Sequence, residues 1–130
     1  MYSGFLKLLG EEHGATLVAA NNYAVSLIDL QRFEEAKSLL RRTMPVARRV
    51  LGEGDRLALK MRWNYAMALY RDDDATLDDL REAVTTLEDA GRLARRVLGG
   101  AHPTTVGIDA SLEHARAKPR TRETPSPGRS

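Results

Sequence analysis

The sequence predicts an all-α solenoid of antiparallel helix pairs, about two and a half units long. Three observations carry this. The segment Leu9-Gly10-Glu11-Glu12-His13 returns as Leu51-Gly52-Glu53-Gly54-Asp55 and as Leu98-Gly99-Gly100-Ala101-His102, at intervals of 42 and 47 residues. Self-similarity at such a period is the mark of stacked helical units, none of which buries its apolar face alone. Between the returns, apolar residues recur at steps of three and four, the period of a helix with one buried face. Composition agrees: 42% of the 130 residues are apolar and 29% charged, only 5% are aromatic, and cysteine is absent.

The elements follow in order. Residues Gly4 to Leu8 align with Val46 to Val50, so residues 1–8 read as the end of a truncated preceding repeat. Residues 9–50 form repeat 1. Its first helix carries the stripe Leu17, Ala20, Tyr23, Ala24, Leu27 and Ile28, and its second carries Phe33, Ala36, Leu39, Leu40, Ala47 and Val50. Residues 51–97 form repeat 2, with Met61, Tyr65, Ala66 and Leu69, then Leu80, Ala83, Val84, Leu87, Ala94 and Val97. Alanine at matching places (Ala24 and Ala66, Ala36 and Ala83) lets helix axes approach toward the short end of the usual spacing of about 8–10 Å.

The interval changes from 42 to 47 within repeat 2, which places five extra residues near 71–78, in a longer connection or an extended helix. Thr76 and Asp79 stand in the order of a capping box. Gly10, Gly52 and Gly99 are placed to end helices in a left-handed conformation, and Pro103 suits the first turn of a new helix. Pro45 is expected to kink the second helix of repeat 1, and Gly91 falls near the matching place in repeat 2. Residues 98–117 read as a partial third repeat or capping helix, helical from Val106 to Ala117. Residues 118–130, rich in Pro, Ser, Thr and Arg, read as a disordered tail.

The pattern Leu-Gly, two residues, His, then Asn21-Asn22-Tyr23-Ala24 and Arg32-Phe33-Glu34-Glu35-Ala36 resembles tetratricopeptide repeats, and its period of 42 resembles the kinesin-light-chain type. Repeat 2 keeps Asn64-Tyr65-Ala66 and Leu80-Arg81-Glu82-Ala83 but has Asp55 in place of the histidine. The resemblance implies a right-handed superhelix in which the first helix of each pair lines a concave groove for a peptide. By position, that groove face includes Val18, Asn21, Asn22, Val25 and Asp29, then Lys60, Trp63, Asn64, Met67 and Arg71. Asn amides there can serve a peptide backbone and Trp63 can anchor a ligand. Equally, Asn22 and Asn64 can bridge adjacent helices and Trp63 can pack against the next repeat. The Lys-and-Asn carboxylate clamp of some tetratricopeptide domains is not present at Asn21, Val25, Trp63 and Met67. No heptad run supports a motor subunit.

Several function classes are disfavoured. The chain has no Gly-rich phosphate loop, nucleophile elbow or cysteine nucleophile, so no enzyme activity, cofactor or metal is expected. The acidic run Asp72-Asp73-Asp74 is not followed by the ligand spacing of a calcium loop. The arginine pairs Arg41-Arg42, Arg48-Arg49 and Arg95-Arg96 are expected to be solvated or matched at i,i+4. The net charge is only +2, so nucleic acid is disfavoured despite a pI near 9.1. The apolar cluster at residues 5–9 is too short to span a bilayer, and a cytoplasmic location is expected. The partner expected is a protein or peptide. The rival readings are a structural fragment or end cap that self-associates through its unpaired N-terminal end and, ranked last, an RNA-binding helical repeat.

Overall fold

Each Leu-Gly junction of the sequence ends one helix and starts the next. The structure, a computed structural model, describes residues 2–123, with side chains through Lys118. Six helices follow one another: α1 (Tyr2–Leu9), α2 (Gly14–Asp29), α3 (Phe33–Leu51), α4 (Arg56–Tyr70), α5 (Leu77–Leu98) and α6 (Pro103–Glu123). At the junctions Gly10, Gly52 and Gly99 adopt φ of 87°, 96° and 93°. With ψ near 151° at Gly52 and 154° at Gly99, these two lie beyond the left-handed helical well, in a region essentially confined to glycine. Backbone conformation, not crowding, demands glycine at Gly52 and Gly99, because a Cβ there would meet nothing within 4 Å.

Three residues after each glycine comes the cap. His13 Nδ1 accepts from the Ala15 amide at 3.1 Å, Asp55 Oδ2 from Leu57 at 2.8 Å, and His102 Nδ1 from Thr104 at 3.1 Å. The histidine-to-aspartate change between repeats therefore keeps one function, an acceptor for an otherwise unmatched amide in the first turn. Thr76 and Asp79 form the expected reciprocal capping box, with bonds of 3.0 and 3.1 Å. Repeat 1 lacks such a box. Its turn relies on Gln31, whose φ of 61° is positive without being glycine.

The five extra residues of repeat 2 are shared out. The connection between α4 and α5 is three residues longer than that between α2 and α3, α5 is three longer than α3, and α4 is one shorter than α2. Within the added loop, Asp72 Oδ1 accepts from the Asp74 amide at 2.9 Å and so closes the acidic run into a turn.

Consecutive helices pack as antiparallel neighbours, and in addition α2 packs on α4 and α4 on α6. Among the described residues α1, α3 and α5 do not approach one another. We call α2, α4 and α6 first-type helices and α1, α3 and α5 second-type. The stack is thus tighter on the first-type side. Its core runs through Leu17, Leu27, Leu40, Leu59, Leu69, Leu80, Leu87 and Ile108, all at most 2% exposed. Each such side chain contributes roughly 1.5–3 kcal/mol by leaving water. Ala24, Ala36, Ala66 and Ala83 are fully buried at the helix crossings, where a methyl allows close approach. Glu113 stands at the place of Ala24 and Ala66 and is exposed, because among the described residues no helix follows to cover that side of α6.

Some expectations are corrected. Tyr23 is 44% exposed, whereas its counterpart Tyr65 is 4%. Val50 and Val97 also leave the buried stripe, at 41% and 51%. Pro45 lies inside α3, as the sequence placed it, and is exposed. The last helix starts at Pro103, the first-turn position expected for it, but extends past Ala117 to Glu123, so residues 118–123 of the expected tail are helical. Residues 124–130 lie outside the described residues. All six members of the arginine pairs are exposed, as expected, while ion pairs within helices, such as Lys37–Glu34, are spaced i,i+3 among the described residues. Arg49 and Arg95 instead reach other elements, at Glu12 (2.7 Å) and Asp109 (2.5 Å).

Candidate interaction surface of the first-type helices

Because steps of three and four return to one helix face, the expected surface residues fall into rows shared by α2, α4 and α6. Asn21, Trp63 and Ala110 form one row, offset by 42 and then 47 residues. Asn22, Asn64 and Ser111 form the next. The two rows hydrogen-bond across the repeats. Asn64 Nδ2 donates to Asn21 Oδ1 at 2.8 Å, joining α4 to α2. Trp63 Nε1 donates to Ser111 Oγ at 2.8 Å, joining α4 to α6.

Asn21 and Asn64 are consequently only 8% and 7% exposed, with amides turned to each other rather than to an open surface. Of the two ways to read them, the helix bridge is what forms, with Asn21 taking the part assigned to Asn22. Trp63 is half-buried. A Cβ built on Gly107 would come within 2.5 Å of Trp63 Cζ2 and nearer still to Cη2. Its ring therefore lies against the bare backbone of α6, and one edge remains open to solvent. Met67 is also half-buried. Val18, Asn22, Val25, Asp29, Lys60 and Arg71 are exposed. They leave an open strip with apolar members from α2 and Met67, and with charges of both signs.

Position-by-position reasoning missed one polar cluster. The Tyr65 hydroxyl donates to Glu82 Oε2 at 2.6 Å and accepts from Arg41 Nε at 3.0 Å, tying α4 to both α3 and α5. The Arg41 guanidinium also stands 5.6 Å from the Tyr65 ring centroid. Burial, aided by the Glu82 carboxylate, raises the Tyr65 phenol above its ordinary pKa of 10.0. Arg62, on the same helix, is held below its ordinary value by burial and by the nearby Arg48. The recurrence of Tyr at one position and of Glu at Glu35 and Glu82 was the signal available. Arg41 gave none, because its partner lies 24 residues away.

Among the described residues no helix is long and apolar enough to cross a membrane. No curated protein matches the chain. Residues 16–56, from the first turn of α2 to the first residue of α4, match the family model of the tetratricopeptide repeat, and the packed helix pairs around them have the architecture of that repeat.

Proposed function

We propose that this protein is a non-catalytic interaction scaffold that takes an extended peptide or a partner helix along the surface of α2, α4 and α6. The observation that carries the reading is the asymmetry of the stack: first-type helices touch one another and second-type helices do not. Such a stack curves around its first-type side, and repeat proteins use concave surfaces of this kind for binding. The tetratricopeptide match over residues 16–56 supports the same class of role.

The residues to carry a ligand are those the fold leaves open: Val18, Val25, Asp29, Lys60, Met67 and Arg71, with the free edge of Trp63. Val18, Val25 and Met67 offer apolar contact. Lys60 and Arg71 against Asp29 favour a ligand with charges of both signs. The period of 42 in repeat 1 supports a light-chain-type repeat, and the absence of cysteine fits a reducing, cytoplasmic setting.

Selection of peptides from a displayed library against the immobilised protein tests this. Enriched peptides should bind Lys60→Glu and Arg71→Glu variants at least tenfold more weakly, with the thermal midpoint unchanged. Absence of enrichment, or peptides indifferent to both variants, would remove the reading.

A further inference from the structure

Two strips of side chains line the valley where α2 and α4 pack together, and their chemistry changes along its length. The two helices run the same way, so positions 42 residues apart stand level. Val18 stands level with Lys60, Val25 with Met67, and Asp29 with Arg71. Both valines are open, at 48% and 37% exposure. Between the first two levels the floor is closed by the Asn64–Asn21 bond of 2.8 Å, and Trp63 leans away onto α6. The α4 side thus has a cation at each end and an apolar residue between them, and the α2 side is apolar until Asp29.

The fold leaves these charges unmatched. Among the described residues neither Lys60 nor Arg71 has a carboxylate within ion-pair distance, and Asp29 has no cation. Arginines elsewhere do reach acids on other elements, as Arg49 reaches Glu12 and Arg116 reaches Glu88. Asp29 is moreover the last residue of α2, where a carboxylate meets the negative end of the helix dipole. An occupant with charges of opposite sign at these three places complements the valley.

Spacing decides the conformation of that occupant. Lys60 and Arg71 are eleven residues apart on one face of α4, about 16 Å along the axis at 1.5 Å per residue. On a second helix lying in the valley, residues eleven apart again share a face, three turns from one another. An extended chain covers that distance in about five residues, and an odd spacing turns the two side chains to opposite faces. Backbone chemistry agrees. An extended peptide needs partners for its own N–H and C=O groups, and the Asn21 and Asn64 amides of the floor face each other at only 8% and 7% exposure. A helix pairs its backbone internally and asks the valley only for side-chain contacts.

We propose that the occupant of the valley between α2 and α4 is an α-helix of a partner protein, with two acidic residues eleven positions apart, apolar residues between them and a basic residue beside one acid. The acids meet Lys60 and Arg71, the apolar residues lie on Val18, Val25 and Met67, and the base meets Asp29. This rests on the reading of the first-type helices as a binding surface, and it selects the partner helix over the extended peptide.

The probe is a labelled peptide with two glutamates eleven residues apart, two leucines between them on the same face, and an arginine outside each glutamate. A staple on the far face holds it helical. A second peptide, unstapled and broken by prolines, places the glutamates five residues apart, and a third keeps the staple but moves one glutamate to the far face. Fluorescence anisotropy with the full chain should show saturable binding of the first and at least about tenfold weaker binding of the other two. Lys60→Glu and Arg71→Glu should each weaken the first by about tenfold or more, since repulsion replaces attraction, and Asp29→Lys should weaken it too. A peptide with lysines in place of both glutamates should bind the double variant Lys60→Glu with Arg71→Glu. Arg42→Glu, on α3, should change nothing. All four positions are exposed, and thermal midpoints no lower than the parent's will show that the variants fold. No binding by the helical probe, binding no tighter than that of the other two, or indifference to Lys60→Glu and Arg71→Glu overturns the proposal. The scaffold reading survives that result if library-selected extended peptides still depend on Lys60 and Arg71, and falls with it if none do. A dimer in sedimentation that Lys60→Glu dissociates also overturns the proposal, because a second copy then fills the valley.

Discussion

The indole of Trp63 rests on Gly107, in space that any side chain at that position would fill. A Cβ on Gly107 would sit 2.5 Å from Trp63 Cζ2, well inside van der Waals contact. The Trp63–Ser111 bond of 2.8 Å lies one turn further along α6. Glycine within a helix ordinarily costs about 1 kcal/mol relative to alanine. Here its absent side chain allows the α4·α6 junction to close.

Gly107→Ala should therefore destabilise the protein, although alanine is the better helix former. Overpacking of this kind costs about 1–3 kcal/mol, enough to outweigh the propensity gain. Urea unfolding followed by circular dichroism should show a lower midpoint, and Trp63 emission should shift red as the ring is pushed toward water. A midpoint equal to or above that of the parent would mean that the ring moves aside freely.

The Asn21–Asn64 pair should behave as a coupled unit. Asn64→Leu leaves the buried Asn21 amide without its donor, at a cost of roughly 1–3 kcal/mol. The double variant Asn21→Leu with Asn64→Leu removes both polar groups and should recover much of that loss. A double-mutant cycle on urea midpoints measures the coupling. Strict additivity would show that the two amides act independently.

Tyr65 should make stability fall at alkaline pH. Its phenol has a folded-state pKa raised above the ordinary 10.0, by burial first and by Glu82 second. The neutral form is the one that the fold favours. Its contribution is thus present in full below pH 10.0 and is lost as pH rises through the higher folded value. Tyr65→Phe should cost about 1.5–3 kcal/mol at neutral pH, since a bond to a charged group is lost. It should also flatten the alkaline fall in the urea midpoint. A variant with the same alkaline slope as the parent would assign that slope to other groups.

Much of the architecture is local and was legible in the chain. Leu-Gly followed by His or Asp marks a helix end and the next cap, because a positive φ and an amide acceptor are each met by one residue at one place. Thr76 and Asp79 bond within three residues of each other, so their spacing suffices to pair them. The end of α6 was harder to read: a composition rich in Pro, Ser, Thr and Arg suggested a tail from residue 118, yet the helix continues to Glu123.

The surface was legible only in part. Period arithmetic put Asn21, Trp63, Val25 and Met67 on one helical face, and it could not say how far the next helix would cover that face. Asn21 is covered by α4, Trp63 is half covered by α6, and Val25 stays open. Tyr23 and Tyr65 share a repeat position and differ tenfold in exposure. No property of the residue itself distinguishes them.

The sequence by itself determined the number and order of the helix pairs, the turns that separate them and the apolar faces that pack. Those depend on φ, on caps and on a period of 3.6, all set within a few residues. Tertiary structure alone decided which Asn bridges, which Trp edge stays free and which Tyr is buried. Each of those outcomes depends on whether a helix about 40 residues away lies across the position, since burial and hydrogen-bond satisfaction belong to neighbouring elements rather than to one segment of chain.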